Sequence, residues 1–541
     1  MAHSVYAAFQ QTVQQWPDND FLLVLPETAE IFDIEAGHIS YQQAFDQVEA
    51  LAAAYQQAGY GHGHRVGILL ENRPAFLLHW LALNKLGVSI VPINPDLRIA
   101  ELEYLIGHSE MCLIVALPSR HADLRAAAEA AGHQVVISAP EQTPPAALTP
   151  VPLTDAIDTD TECALMYTSG TTGLPKGCIL PNEYFLYSGR WYAEIGGMAT
   201  LRPGKERMLT PLPLFHMNAL ATSTMAMIVT GGCLIALDRF HPRTWWDSVR
   251  RSEATVVHYL GVMPAILMKF PGSDEDKNHS VRFGFGAGVD SGLHQPFEER
   301  FGFPLLEAWA MTETGAGSCI IANKEPRFIG SHCFGKEESV VEVKIVDEQG
   351  EPVPNGTPGE LLVRHAGPNP RFGFFAGYWK DQPATDKAWA DGWFHTGDIV
   401  MRSQEGYLHF VDRKRNVIRR SGENIAAVEV ENALQQHETI QSIAVAAVPD
   451  EIRGDEVMAL IVLREGAANP QDPAQLAEEI VRWGLTRLAY FKVPGYVAFV
   501  DSLPLTSTNK IQRGVLKDQA LALFEQGAYH DTNRLKKRQE A

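Results

Sequence analysis

Apolar residues Val5, Phe9, Val13 and Trp16 fall on one face of a helix that must stop before Pro17. Residues 40–57 repeat the pattern with Phe45, Val48, Leu51 and Tyr55. Ser40 and Gln43 match a capping box there, and Gly59 follows the end. Short apolar runs then alternate with helical patterns. Strands are predicted at 66–70, 88–93, 112–116 and 134–137, with helices at 74–86, 98–108 and 120–131 between them. This alternation predicts a mostly parallel sheet with helices on both faces.

A proline-rich link at 140–152 precedes a second alternating unit, about 161–330, with strands at 255–260 and 281–289. Its run GFGAGV falls short of a dinucleotide fingerprint, because the third glycine would stand at Val289. From 331 to 411 the pattern is strand-rich: SVVEVKIV, the turn DEQGEP and GELLVRH predict a small β subdomain. After VDRKRN (411–416) come a helix near 427–436, strands at 442–448 and 456–463, a helix opening at Asp472-Pro473, and a strand at 496–500. The expected fold is α/β. A large N-terminal domain (1–411) holds two doubly wound α/β subdomains, about 1–160 and 161–330, and a small β subdomain, 331–411. A small α+β C-terminal domain spans 412–541.

Composition narrows the function. The 541 residues are 45% apolar, enough for large cores. Lys+Arg is 45 and Asp+Glu is 65, a net charge of −20, which argues against nucleic acid and anionic membranes as partners. Six scattered cysteines form no C-x-x-C pair and point to a reducing compartment. The first twenty residues carry no Lys or Arg and no long apolar run, so no signal peptide is expected. Residues 209–237 are apolar, but prolines, His216, Asn218 and a glycine pair predict a buried helix and strand, not a membrane span. His62 and His64 are too few ligands for a metal site. A cytoplasmic protein is expected.

One loop breaks every periodicity. Residues 167–177 read YTSGTTGLPKG. Glycines admit close backbone approach, successive N–H groups make an anion-binding concavity, and a lysine adds charge. The Walker A spacing fails, since Pro175 precedes Lys176 and Gly177 follows it. The loop reads either as a phosphate clamp of another nucleotide-binding class or as a surface turn.

Further runs follow in a definite order: EAWAMTETG (307–315), DGWFHTGD (391–398), YLHFVDRKRNVIRRSGENIAAVEVE (407–431) and LPLTSTNKIQR (503–513). Together with the loop they resemble the adenylate-forming superfamily, nearest to bacterial short- or medium-chain and carnitine-type acyl-CoA synthetases. The resemblance implies a two-step reaction. A carboxylic acid attacks MgATP to give acyl-AMP and pyrophosphate, then coenzyme A takes the acyl group. It implies that Thr168, Ser169, Gly170, Thr171, Thr172, Gly173 and Lys176 hold the β- and γ-phosphates. Thr312 would bond the α-phosphate, Glu313 would bind Mg²⁺, and Lys510 would bridge carboxylate and phosphate. Asp398 and Arg413 would take the ribose, with Trp309 stacked on adenine beside Gly288 and Ala310. His216 would gate an acyl pocket of Met217, Val262, Gly286, Ala287, Gly288, Met311 and Gly315. The small domain would be mobile, hinged at Arg415, and Gly422 with Glu423 would line the CoA tunnel. Ala310 and Asn509 stand where glycine is usual. The alternatives are a stand-alone enzyme that loads a carrier protein and a silent nucleotide binder. A homodimer is an open expectation.

Overall fold

A computed structural model describes residues 2–152, 157–168, 174–413, 417–464, 472–504 and 511–537. Local signals act where the sequence puts them. The helix Val5–Gln15 is capped by Ser4, whose Oγ accepts the Ala7 N–H at 3.1 Å. The helix Tyr41–Gln57 carries the expected capping box: Gln43 N–H donates to Ser40 Oγ at 3.1 Å, and Ser40 N–H donates to Gln43 Oε1 at 2.9 Å.

The described residues form four sheets. A seven-stranded sheet has a parallel core of Val136–Ser138, Leu113–Ala116, Arg65–Leu69, Ser89–Pro92 and Glu162–Thr168, and ends in antiparallel Lys176–Pro181 and Gly377–Tyr378. An eight-stranded sheet runs parallel from Leu305–Trp309 through Phe283–Ala287, Val256–Leu260, Arg207–Thr210 and Cys233–Ala236 to Asp20–Val24. Gly37–Ser40 and Ile320–Ile321 close its edges antiparallel. A five-stranded antiparallel sheet spans 333–413, and a fourth, with its own core around Ile443, Ile461 and Ile480, begins at Val417.

The expected subdomain limits need correction. The first 160 residues do not make a self-contained sheet: Asp20–Val24 and Gly37–Ser40 belong to the eight-stranded sheet, while 162–181 completes the seven-stranded one. The two sheets share one continuous core, in which Phe9, Trp80, Phe185 and Phe283 all take part. Hydrophobic period marks a strand but not its partner, because pairing is set by long-range packing. The 209–237 stretch folds as expected into a buried helical turn, the helix Met225–Thr230 and the strand Cys233–Ala236. Among the described residues no helix is long and apolar enough to cross a membrane.

Two histidines are sealed in this core. Burial pushes His79 down to about 4 and His258 down to about 3. A depressed folded value means stability that is whole above the unfolded value near 6.5 and is lost as pH falls below it. Each histidine therefore removes about 2 kcal/mol between pH 7 and pH 5. The thermal midpoint should fall over that interval, before the ordinary carboxylates titrate. A flat profile from pH 7 to 5 would contradict the buried neutral assignment.

Candidate active site

Four neighbouring parallel strands, Arg207–Thr210, Val256–Leu260, Phe283–Ala287 and Leu305–Trp309, end at one cavity of about 620 Å³. The carboxyl ends of parallel strands are where open α/β sheets bind ligands. The loop after the first strand brings His216 and Met217; the third strand brings Gly286 and Ala287; the turn after the fourth brings Ala310, Met311, Thr312, Glu313 and Gly315. Thr168 arrives from the seven-stranded sheet and Asp398 from the five-stranded one. Gly422 and Glu423 come from the C-terminal hairpin. All were singled out from the sequence.

The phosphate-loop expectation lies partly outside the described residues, which omit Ser169, Gly170, Thr171, Thr172 and Gly173. Its described ends are Thr168 and Leu174 onward: Thr168 pairs with Lys176 across two antiparallel strands, and Thr168, Leu174 and Pro175 line the cavity. Lys510, Arg415 and the Arg413 side chain are likewise outside the description. The Arg413 backbone pairs with Asp398 in register.

Four expected residues do not line the cavity. Trp309 is packed in the core, and its indole N–H donates to Asp398 Oδ2 at 2.9 Å. A buried indole donor needs an acceptor, so this bond ties Trp309 to the ribose candidate through the ring's edge. Gly288 and Val289 donate their backbone N–H groups to Glu307 Oε1, both at 2.9 Å, which turns that loop aside. Val262 begins the helix Val262–Leu267 and packs against the neighbouring core. Lys176 sits 3.4 Å from Asp381 and over the Tyr378 ring at the edge. The small residue at 286 answers a packing demand as well: a Cβ there would meet the Tyr259 carbonyl oxygen at 2.2 Å.

The acidic turn is held firmly. Tyr184 donates its hydroxyl to the Thr312 carbonyl at 2.9 Å, and Tyr378 donates to Glu313 Oε1 at 2.9 Å. Glu313 Oε2 has no hydrogen-bond or ion-pair partner among the described residues and belongs to a residue facing the cavity, a hard oxygen donor fit for Mg²⁺.

The C-terminal lobe closes on this site. Glu423 Oε1 lies 3.4 Å from His216 Nε2. Gly422 has φ +90°, a backbone conformation that favours glycine, and a Cβ added there would lie 2.2 Å from Leu260 Cδ1 and push that side chain aside. Sequence reasoning missed the deepest lobe contact. Lys492 Nζ is 2.6 Å from Glu101 Oε1 of the large lobe and 2.6 Å from Glu429 Oε1 of its own lobe. Burial alone would lower the Lys492 value, but the two carboxylates overcome it and hold it above the usual lysine range. Burial pushes Glu429 up. The only local signal was a lysine inside the apolar run LAYFKVP.

Residues 9–379 match the AMP-binding enzyme family, and residues 429–510 match the AMP-binding enzyme C-terminal domain. The chain belongs to the AMP-binding enzymes. Among its relatives is the crotonobetaine/carnitine–CoA ligase of Escherichia coli, 31% identical over 497 residues that cover 88% of this chain and 93% of the relative. The amide bond synthetase of Marinactinospora thermotolerans shares the architecture at 25% identity with TM-score 0.79, covering 94% and 99% of the two chains. The o-succinylbenzoate CoA synthetase of Bacillus subtilis, 24% identical, gives TM-score 0.80 as a double mutant bound with a product analogue, covering 94% and 98%. In complex with AMP the same enzyme gives 0.65 over the same shares. This AMP-binding enzyme is an AMP-forming acyl-CoA synthetase: it makes an acyl-adenylate from ATP and a carboxylic acid, then passes the acyl group to coenzyme A.

Proposed function

We propose that both half-reactions use the single cavity and that the C-terminal lobe, residues 412–541, moves against residues 1–411 between them. In the first step Thr312 bonds the α-phosphate, Asp398 holds the ribose, and the hairpin loop from Thr168 to Lys176 receives the leaving pyrophosphate. Lys510 bridges the attacking carboxylate and the α-phosphate, offsetting their repulsion. Glu313 holds Mg²⁺, which neutralises phosphate charge. His216 flanks the carboxylate. In the second step Gly422 and Glu423 line the path of the thiol arm.

The observation that carries this reading is the cavity that both lobes line. Gly422 against Leu260 and Lys492 against Glu101 support the second-step arrangement. The higher TM-score for the product-analogue complex than for the AMP complex of the same enzyme agrees with that arrangement. Six unpaired thiols, five of them buried, suit work in the cytoplasm.

A panel of carboxylic acids, assayed for pyrophosphate and AMP with and without CoA, tests the proposal. Pyrophosphate should require an acid but not CoA, and turnover to AMP should require CoA. AMP release that ignores CoA but responds to a carrier protein would transfer the second step to that acceptor. Pyrophosphate release indifferent to acid would overturn the reading.

A further inference from the structure

The floor of the acyl end holds a buried polar chain with no assigned task. His258, on the strand Val256–Leu260, is 0% exposed. Its Nε2 lies 3.1 Å from the Tyr192 hydroxyl, and its Nδ1 lies 2.7 Å from Asn218 Oδ1 and 2.9 Å from Ser223 Oγ. Asn218 and Ser223 belong to the π-helix Asn218–Thr224, a rare form that is frequent at functional sites. Around the chain, Trp191, Asn218, Thr222 and Phe285 line the cavity.

Hydrogen-bond accounting fixes every proton. Tyr192 is fully buried, and His258 Nε2 is its hydroxyl's sole hydrogen-bond partner among the described residues. A buried O–H must find an acceptor. Were Nε2 protonated, the phenol would be stranded, so Nε2 accepts. The imidazole is neutral in this dry setting, so its one proton sits on Nδ1. Nδ1–H can meet only an acceptor, which requires Asn218 to turn its oxygen to the ring. The other half of the carboxamide, Nδ2–H₂, has no partner among the described residues and is left for the cavity that Asn218 lines.

We infer that Asn218, oriented by the Tyr192–His258 relay, is a specificity-determining residue that offers an N–H donor to the acyl chain, so that the preferred substrate is a carboxylic acid with a hydrogen-bond-accepting oxygen beyond its carboxylate. This rests on the acyl-CoA synthetase reading and names its substrate class. Trp191 and Phe285 supply apolar walls for the rest of the chain. Neither Asn218, Thr222, Trp191 nor Phe285 carries negative charge, so an acid ending in a quaternary ammonium gains no counter-ion here and leaves the donor unmet. A polar site built for an acceptor penalises the analogue that lacks one, because the buried donor then stays unpaired.

The test compares a saturated straight-chain acid, the keto acids of the same length with the carbonyl at successive positions beyond the β-carbon, and a trimethylammonium acid of similar size. The readout is kcat/KM for pyrophosphate release. One keto position should exceed the saturated acid by about ten-fold or more. N218L should bring that ratio near one. Y192F keeps the ring but frees the imidazole to choose its tautomer, and should lower the ratio part-way. A merely structural tyrosine would depress all acids alike. Three results would overturn the inference: a wild-type ratio near one at every position, a ratio unchanged in N218L, or preference for the trimethylammonium acid. Release of pyrophosphate with saturated acids would leave the enzyme reading standing in those cases. Its absence with every acid would remove both.

Discussion

Replacing Lys510 with alanine is expected to lower acid-dependent pyrophosphate release by about a hundred- to a thousand-fold, the usual loss when one preorganised charge is removed from a developing anion. Carboxylate and α-phosphate are both negative, and no second cation is assigned to the space between them. The same variant, supplied with acyl-AMP and CoA, should form thioester at close to the wild-type rate. The split follows from two arrangements of one lobe: the lysine serves the first, and the hairpin at Gly422 serves the second. Single-turnover assays of each half-reaction check it. Equal loss in both would place Lys510 in the architecture and not in the chemistry.

The second large effect is expected at Glu101. Lys492 bridges Glu101 and Glu429, and only the Glu101 contact crosses between lobes. Hydrogen bonds to charged groups are worth about 1.5–3 kcal/mol, so E101Q should slow thioester formation from supplied acyl-AMP by about ten- to a hundred-fold. Within the small lobe Lys492 keeps Glu429, so neither lobe should unfold. Acid-dependent pyrophosphate exchange into ATP should hold near wild type, because the contact belongs to the other arrangement. A parallel fall in exchange would show that Glu101 matters for the helix Ile99–Ser109, where its Oε2 also caps the Arg98 N–H, and not for closure.

What the sequence disclosed was chiefly local. The Ser40–Gln43 box and the strand Gly359–His365 need no distant partner to be recognised. Loops at strand ends were legible through the family resemblance: Met311 to Gly315 and Gly422 stand in runs that match the adenylate-forming motifs. Partners were not legible. Asp20–Val24 lies beside Cys233–Ala236, a pairing that only the shared core decides. The bond from Trp309 to Asp398 was not legible either, because the two residues are 89 positions apart and meet only in the folded core. Lys492 escaped notice because lysines are ordinarily solvated, and its bridging carboxylate at Glu101 lies 391 positions away. His258 carried no signal in the sequence, because its partners Tyr192 and Asn218 lie 66 and 40 positions away.

The central claim is that the small lobe takes two positions over one bound nucleotide. Its most direct test is a crystal structure with a non-hydrolysable ATP analogue and a carboxylic acid. The account expects Lys510 and the loop after Thr168 on the same phosphates, with Gly422 drawn away from Leu260. Lys510 directed into a different cavity, with Gly422 still against Leu260 and the triphosphate bound, would contradict it.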